Sequence, residues 1–171
     1  MTQKFTILFD LDGTLVNSAP DLMRAHNHVM KKYGYGERNL ADIKKLAGRG
    51  SKVMLTRSMH ELAELSGKIK KTDDVIEEMT KEFIDYYSNN IAEESTLKNG
   101  TTNFLSWCKK KSISMAVCTN KQEHLSIDLL KKIKIYECFD YVAGGNTFSH
   151  NKPDPRHLTD TVEVMGGNIK K

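Results

Sequence analysis

The sequence predicts an α/β fold: an open parallel sheet flanked by helices, interrupted after its first strand by a helical insert. Short apolar runs at 5–9, 113–118 and 141–143 have the length and composition of buried strands. From Gly100 onward these runs alternate with amphipathic helical segments, which is the pattern of a parallel sheet built from strand–helix–strand units. Residues 16–95, by contrast, hold successive helical patterns and no convincing strand. The expected division is therefore a core made of 1–15 and 96–171 and a helical insert at 16–95.

The first run, Phe5-Thr6-Ile7-Leu8-Phe9, leads directly into Asp10-Leu11-Asp12-Gly13-Thr14. Asn17-Ser18-Ala19-Pro20-Asp21 then opens a helix, with Pro and Asp in its first turn. Its apolar stripe is Leu22, Met23, His26, Val29, Met30 and Tyr33; Lys31 and Lys32 suit the last turn and Gly34 ends it. His26 and His28, single histidines on that helix, read as packed or solvated side chains. Residues 39–65 read as two shorter helices broken by Gly48-Arg49-Gly50, followed by a polar, lysine-rich loop. Asp73-Asp74 opens a further helix whose stripe is Val75, Ile76, Met79, Phe83, Tyr86 and Tyr87.

Beyond Gly100, Phe104, Leu105, Trp107 and Cys108 mark a helix that ends in Lys109-Lys110-Lys111. The strand at 113–118 delivers Thr119-Asn120-Lys121 at its carboxyl end. Leu125, Leu129, Leu130 and Ile133 form the next helix. The strand at 141–143 ends at Gly144-Gly145, and Asp154-Pro155 caps a last helix through Leu158, Val162 and Met165.

Composition narrows the function classes. A chain of 171 residues, 39% hydrophobic and 28% charged, matches an ordinary globular protein with one good core. The net charge of +4 is mild and the lysines are scattered, so no nucleic-acid partner is indicated. Cys108, Cys118 and Cys138 are odd in number and form no close pair, which fits core thiols in a reducing compartment. The first apolar run is too short for a signal peptide, and no stretch approaches the roughly 20 apolar residues of a membrane span. A cytoplasmic protein without a membrane partner is expected.

Asp10 and Asp12 carry the chemistry. Side chains at i and i+2 of an extended chain point the same way, so both carboxylates can face one pocket. Such a pair suits Mg2+ and the phosphate it carries. A plain turn would also use Asp and Gly. A calcium loop counted from Asp10 would need Gly and Glu where Leu15 and Asp21 stand, and is excluded. In an open parallel sheet the strand ends gather on one edge. Asp10, Asp12, Thr119, Asn120 and the loop carrying Lys152 therefore converge. These are the parts of phosphoryl transfer: a carboxylate nucleophile, a proton shuttle, and a hydroxyl and cation for the phosphoryl oxygens. Thr119 could instead cap the following helix, and Lys152 before a proline could be a surface lysine.

At these residues the chain resembles the phosphatases of the haloacid dehalogenase superfamily, in particular the phosphoglycolate phosphatases. The first motif is matched by Asp10-Leu11-Asp12-Gly13-Thr14, the second by Thr119-Asn120, and the third by Lys152 in Lys152-Pro153-Asp154-Pro155. Gly144-Gly145-Asn146-Thr147-Phe148 also fits that branch. The resemblance implies a Rossmann-like core at 1–15 and 96–171 with a helical cap at 16–95. It implies Asp10 as nucleophile and Mg2+ ligand, and Asp12 as general acid and base with its carbonyl on the metal. It further implies Thr119, Asn120 and Lys152 at the phosphoryl group, and a small phosphorylated metabolite as substrate. Arg49, between two glycines in the insert, is the candidate for a substrate carboxylate, or equally an exposed arginine in a turn.

The family's fourth motif, Gly-Asp followed by another Asp on a further strand, is not found before Asn168-Ile169-Lys170-Lys171. The expectation is an incomplete metal site and an incomplete sheet. Two other functions stay open: a sugar-phosphate mutase of the same superfamily, and a catalytically impaired binding or interaction module.

Overall fold

A computed structural model describes residues 5–167; the segment 168–171, where the family's further strand was expected to begin, lies outside the described residues. In chain order the elements are β1 (Thr6–Phe9), β2 (Val16–Asn17), α1 (Ala19–Lys32), α2 (Leu40–Leu46), α3 (Ser51–Ser66) and α4 (Asp73–Asn89), then β3 (Thr96–Leu97), α5 (Thr101–Lys110), β4 (Ser114–Cys118), α6 (Glu123–Lys132), β5 (Tyr141–Ala143) and α7 (Arg156–Val164). The chain divides into two compact units, Met1–Asn17 with Thr96–Lys171, and Ser18–Ser95.

The first unit is the sheet unit. Its strands run in the order β1-β4-β5, all parallel, with Phe9 opposite Val117 and Val117 opposite Val142. The central strand is covered on both faces, so Met115, Ala116, Val117 and Cys118 are all buried, as the unbroken apolar run requires. Leu105 and Cys108 of α5, and Leu125, Leu129 and Leu130 of α6, are buried too. Each such leucine contributes about 1.5–3 kcal/mol of transfer free energy. Among the described residues β1 is an edge strand. Of the residues that mark α5, Phe104 and Trp107 are 45% and 47% exposed. They stack on each other at 5.7 Å, and Phe104 meets Phe9 edge-on at 6.0 Å.

A short antiparallel ribbon, β2 with β3, stands where the chain leaves and re-enters this unit. Lys98 N donates to Leu15 O at 2.9 Å and extends it. Strands of two residues show no periodicity, so 16–17 had read as part of the helical stretch.

The second unit is helical. Proline in the first turn of α1, Asn39 accepting from Asp42 N at 3.0 Å at the start of α2, and left-handed Gly67 after α3 set its helix boundaries. Ile76, Met79, Phe83 and Tyr87 of α4 are buried with Leu22, Val29 and Met30 of α1, as their spacing predicts. Asp21 does more than complement the helix dipole. Its buried carboxylate accepts from Glu94 N at 3.0 Å, Ser95 N at 2.9 Å and the Ser95 hydroxyl at 2.5 Å, tying the start of this unit to its end.

His26 is fully buried at the centre of a polar ring. The Asn27 amide donates to Arg38 O, so its oxygen accepts from both Arg38 N and His26 Nδ1, each at 2.9 Å. That leaves His26 Nε2 to accept from the Ser58 hydroxyl at 2.8 Å, while Ser58 Oγ accepts from Arg38 Nε at 3.2 Å. Burial pushes the His26 pKa down from the ordinary 6.5, with the Arg38 charge acting in the same direction. The unfolded chain therefore takes up a proton near pH 6.5 that the folded state resists. Stability present above that pH is lost as pH falls through it. Thermal unfolding at pH 7.5 and pH 5 should show the lower melting temperature at pH 5, with the difference reduced in His26→Gln. An unchanged difference in the variant would remove His26 from the account.

Candidate active site

The site grows from the turn that closes β1. Leu11 is fully buried and its carbonyl accepts from Leu15 N at 3.0 Å and Val16 N at 3.1 Å. Gly13 takes φ +83°, a conformation in which a side chain is strained, and its N–H donates to Val16 O at 2.7 Å. This knot holds Asp10 and Asp12 on either side of an anchored leucine.

Each carboxylate meets a lysine from a different loop. Lys152, in the loop after β5, places Nζ 2.8 Å from Asp10 Oδ1. Lys121, in the loop after β4, places Nζ 3.4 Å from Asp12 Oδ1. Asp10 is 41% exposed, whereas Asp12 and Lys121 are only 13% and 6% exposed. One carboxylate is open to an incoming group and the other is enclosed. Low local dielectric strengthens the enclosed pair relative to the open one.

The two lysine loops are clamped together. Asn120 Nδ2 donates to Lys152 O at 3.0 Å, and Gly145 N donates to Lys121 O at 2.8 Å. Asn146 Oδ1 accepts from Glu123 N at 2.8 Å, filling the amino end of α6 from outside that helix. Thr147 Oγ1 donates to Glu123 and accepts from Gly144 N. The close approach needs two glycines: a Cβ at Gly144 would stand 2.3 Å from Glu123 N, and one at Gly145 would stand 2.5 Å from Asn120 O.

Thr119 is buried, its N–H continuing the ladder to Ala143 O at 2.9 Å. Its hydroxyl accepts from Lys121 N at 3.2 Å and does not cap α6, whose flanking residue is Gln122. Arg49 lies in the helical unit, in an exposed bend between Gly48 at φ +98° and Gly50 at φ +86°. Lys121 is a site member that its sequence context did not single out, although it stands next to Thr119 and Asn120. Nearby, Arg156 holds the Asp154 carboxylate far below the usual range through its guanidinium and its N–H, so Asp154 fixes the start of α7. Among the described residues no cluster of three or more His, Cys, Asp or Glu converges. The donors available at β1 are hard oxygens, and the exposed Asp10 leaves room beside the oxygen that Lys152 holds. That set fits a cation which keeps most of its water, as Mg2+ does.

The model of the haloacid dehalogenase-like hydrolases matches residues 7–170, nearly the whole chain. The chain is a haloacid dehalogenase-like hydrolase. The hydrolase is 35% identical over 165 residues to a phosphoglycolate phosphatase of Mesorhizobium japonicum, covering 96% of this chain and 70% of that relative. It is 34% identical to the phosphoglycolate phosphatase of Agrobacterium fabrum over 96% of this chain and 68% of that one. A solved structure of a predicted phosphoglycolate phosphatase from Haemophilus somnus superposes with a TM-score of 0.88 at 27% identity, over 98% of this chain and 73% of that one. The fold alone is shared with a β-phosphoglucomutase from Clostridium difficile, at a TM-score of 0.74 and 20% identity. The hydrolase is thus an α/β enzyme of the phosphatase type. No helix among the described residues is long and apolar enough to cross a membrane.

Proposed function

We propose that this hydrolase is a cytoplasmic, Mg2+-dependent phosphomonoesterase acting through an aspartyl-phosphate, with 2-phosphoglycolate or a similar small phosphorylated acid as substrate. The observation that carries the reading is the pairing of an open carboxylate, Asp10, with Lys152 beside an enclosed carboxylate, Asp12. The named relatives support the substrate class.

Asp10 uses its free oxygen to attack phosphorus, forming a carboxylate–phosphorus bond as the ester P–O bond breaks. The electron pair leaves on the alkoxide oxygen, which takes a proton from Asp12. Water then attacks the aspartyl-phosphate and gives its proton to Asp12, and the Asp10–phosphorus bond breaks to release inorganic phosphate. Lys152 offsets the charge that builds on the phosphoryl oxygens, and the Thr119 hydroxyl proton is available to one of them. Asn120 serves the group indirectly by holding the Lys152 carbonyl. Asp10 and the Asp12 carbonyl would hold Mg2+, which supplies further positive charge for the phosphoryl group.

Arg49 is our candidate for the substrate carboxylate, since a guanidinium can grip it through two hydrogen bonds. Arg49→Ala should raise KM for 2-phosphoglycolate about tenfold, the scale of one charged hydrogen bond, and leave a neutral phosphomonoester little changed. Equal effects on both would remove Arg49 from the site. The function itself is tested by incubating the chain with 2-phosphoglycolate and Mg2+. Equimolar phosphate and glycolate, abolished by chelation, are expected. Isomerised sugar phosphate without phosphate release would favour the mutase, and no turnover of any phosphomonoester would favour a binding module.

A further inference from the structure

Lys152 has a part in the proposed chemistry; the more enclosed Lys121 has none so far. The Lys121 side chain is only 6% exposed, and a lysine side chain that enclosed is rare unless it is paired. Its backbone is fixed on both sides. Its N–H donates to Thr119 Oγ1 at 3.2 Å, and its carbonyl accepts from Gly145 N at 2.8 Å. The side chain leaves this clamp and reaches Asp12 Oδ1 at 3.4 Å. Gly145, in the same loop as Lys152, thus holds the root of Lys121.

We propose that Lys121 is the positioning residue of Asp12: its ammonium, 3.4 Å from Oδ1, fixes where that carboxyl stands relative to the leaving oxygen. This rests on reading Asp12 as the general acid. The division of labour follows from exposure. Asp10, the nucleophile, must be reached by phosphorus and is held at one oxygen by Lys152. Asp12 must deliver a proton along a fixed line, and an enclosed ammonium restrains it at little cost in access. The ammonium stands against Asp12, while Asp10 is held by Lys152, so the contribution of Lys121 is expected to depend on how much the leaving group needs a proton.

That dependence is measurable. The value of kcat/KM reports events up to departure of the alcohol, and should be compared for 2-phosphoglycolate and p-nitrophenyl phosphate. An alkoxide needs a proton to leave; p-nitrophenolate does not. Lys121→Met should lower kcat/KM for 2-phosphoglycolate about 100-fold, the lower range of general acid catalysis, and that for p-nitrophenyl phosphate less than about fivefold. Lys121→Arg should restore most of the loss. Asp12→Asn should show the same unequal loss, larger in size, and adding Lys121→Met to Asp12→Asn should bring little further change. Equal losses on both substrates in Lys121→Met, with the unequal loss kept in Asp12→Asn, would overturn the role of Lys121 and leave Asp12 as the acid. An equal loss in Asp12→Asn would overturn the general-acid reading and this role with it, as would an unmodified chain that turns over neither substrate. Thermal unfolding of each variant separates these outcomes from loss of fold. Should Lys121→Met fail to fold, Lys121→Gln takes its place, with the same unequal loss expected and the same equal loss contradicting the role.

Discussion

Asp10→Asn is expected to reduce phosphate release by about 10⁴-fold or more, the scale on which removing a covalent nucleophile acts. The amide keeps the size and planarity of the carboxylate, and its oxygen can still accept from Lys152. It lacks the charged oxygen that, on the proposed mechanism, attacks phosphorus. The Asp10–Lys152 pair is partly exposed, so losing its charge should alter stability by no more than about 1 kcal/mol. A melting temperature near that of the unmodified chain, together with lost turnover, is the expected combination. Turnover within tenfold of the unmodified chain would remove Asp10 from the nucleophile's role.

The second large effect is expected at a residue that carries no chemistry. Gly145→Ala would place a methyl group 2.5 Å from the carbonyl oxygen of Asn120, which is backbone and cannot rotate away. The two loops must then separate. Overpacking of this kind costs about 1–3 kcal/mol, and a chain of this size should melt roughly 2–8 °C lower. Activity should fall further than stability, because the bond from Gly145 N to Lys121 O and the bond from Asn120 to Lys152 O cross that gap. A misplacement of about 1 Å in a catalytic constellation can cost on the order of 100-fold. Gly36→Ala is the control: its added Cβ would meet only a Leu62 methyl at 3.8 Å, and its φ is not left-handed. Initial rates at 25 °C, where all three forms are folded, decide the matter. Equal rates for Gly145→Ala and Gly36→Ala would show that the clamp is not needed.

The parts legible in the sequence were those encoded locally. Asp10-Leu11-Asp12-Gly13-Thr14 announced both the strand end and its turn, and the apolar run at 113–118 announced a doubly covered strand. The partnership of Lys121 with Asp12 was not legible in that way. It depends on β4 lying beside β1, and a lysine two residues after a buried threonine carries no signal of its own. The same holds for Asp21, whose position read as a helix start but whose carboxylate closes the helical unit on Ser95. His26 read as packed; its ring through Asn27, Arg38 and Ser58 joins residues up to 32 positions apart. Thr119 read as phosphate ligand or helix cap, and the structure gives the capping of α6 to Asn146 from another loop. Phe104 and Trp107 marked a helix but are half exposed, because helical spacing shows which residues share a face, not what covers that face.

The central claim is that phosphate passes through Asp10. The direct test is to mix the chain with Mg2+ and phosphorus-32-labelled substrate, quench in acid within one turnover, and map the label by peptide mass spectrometry. Label on the peptide containing Asp10, stable in acid, released by hydroxylamine and absent from Asp10→Asn, is the predicted result. Phosphate released at the full rate with no label on that peptide, or with the label on another residue, would contradict it.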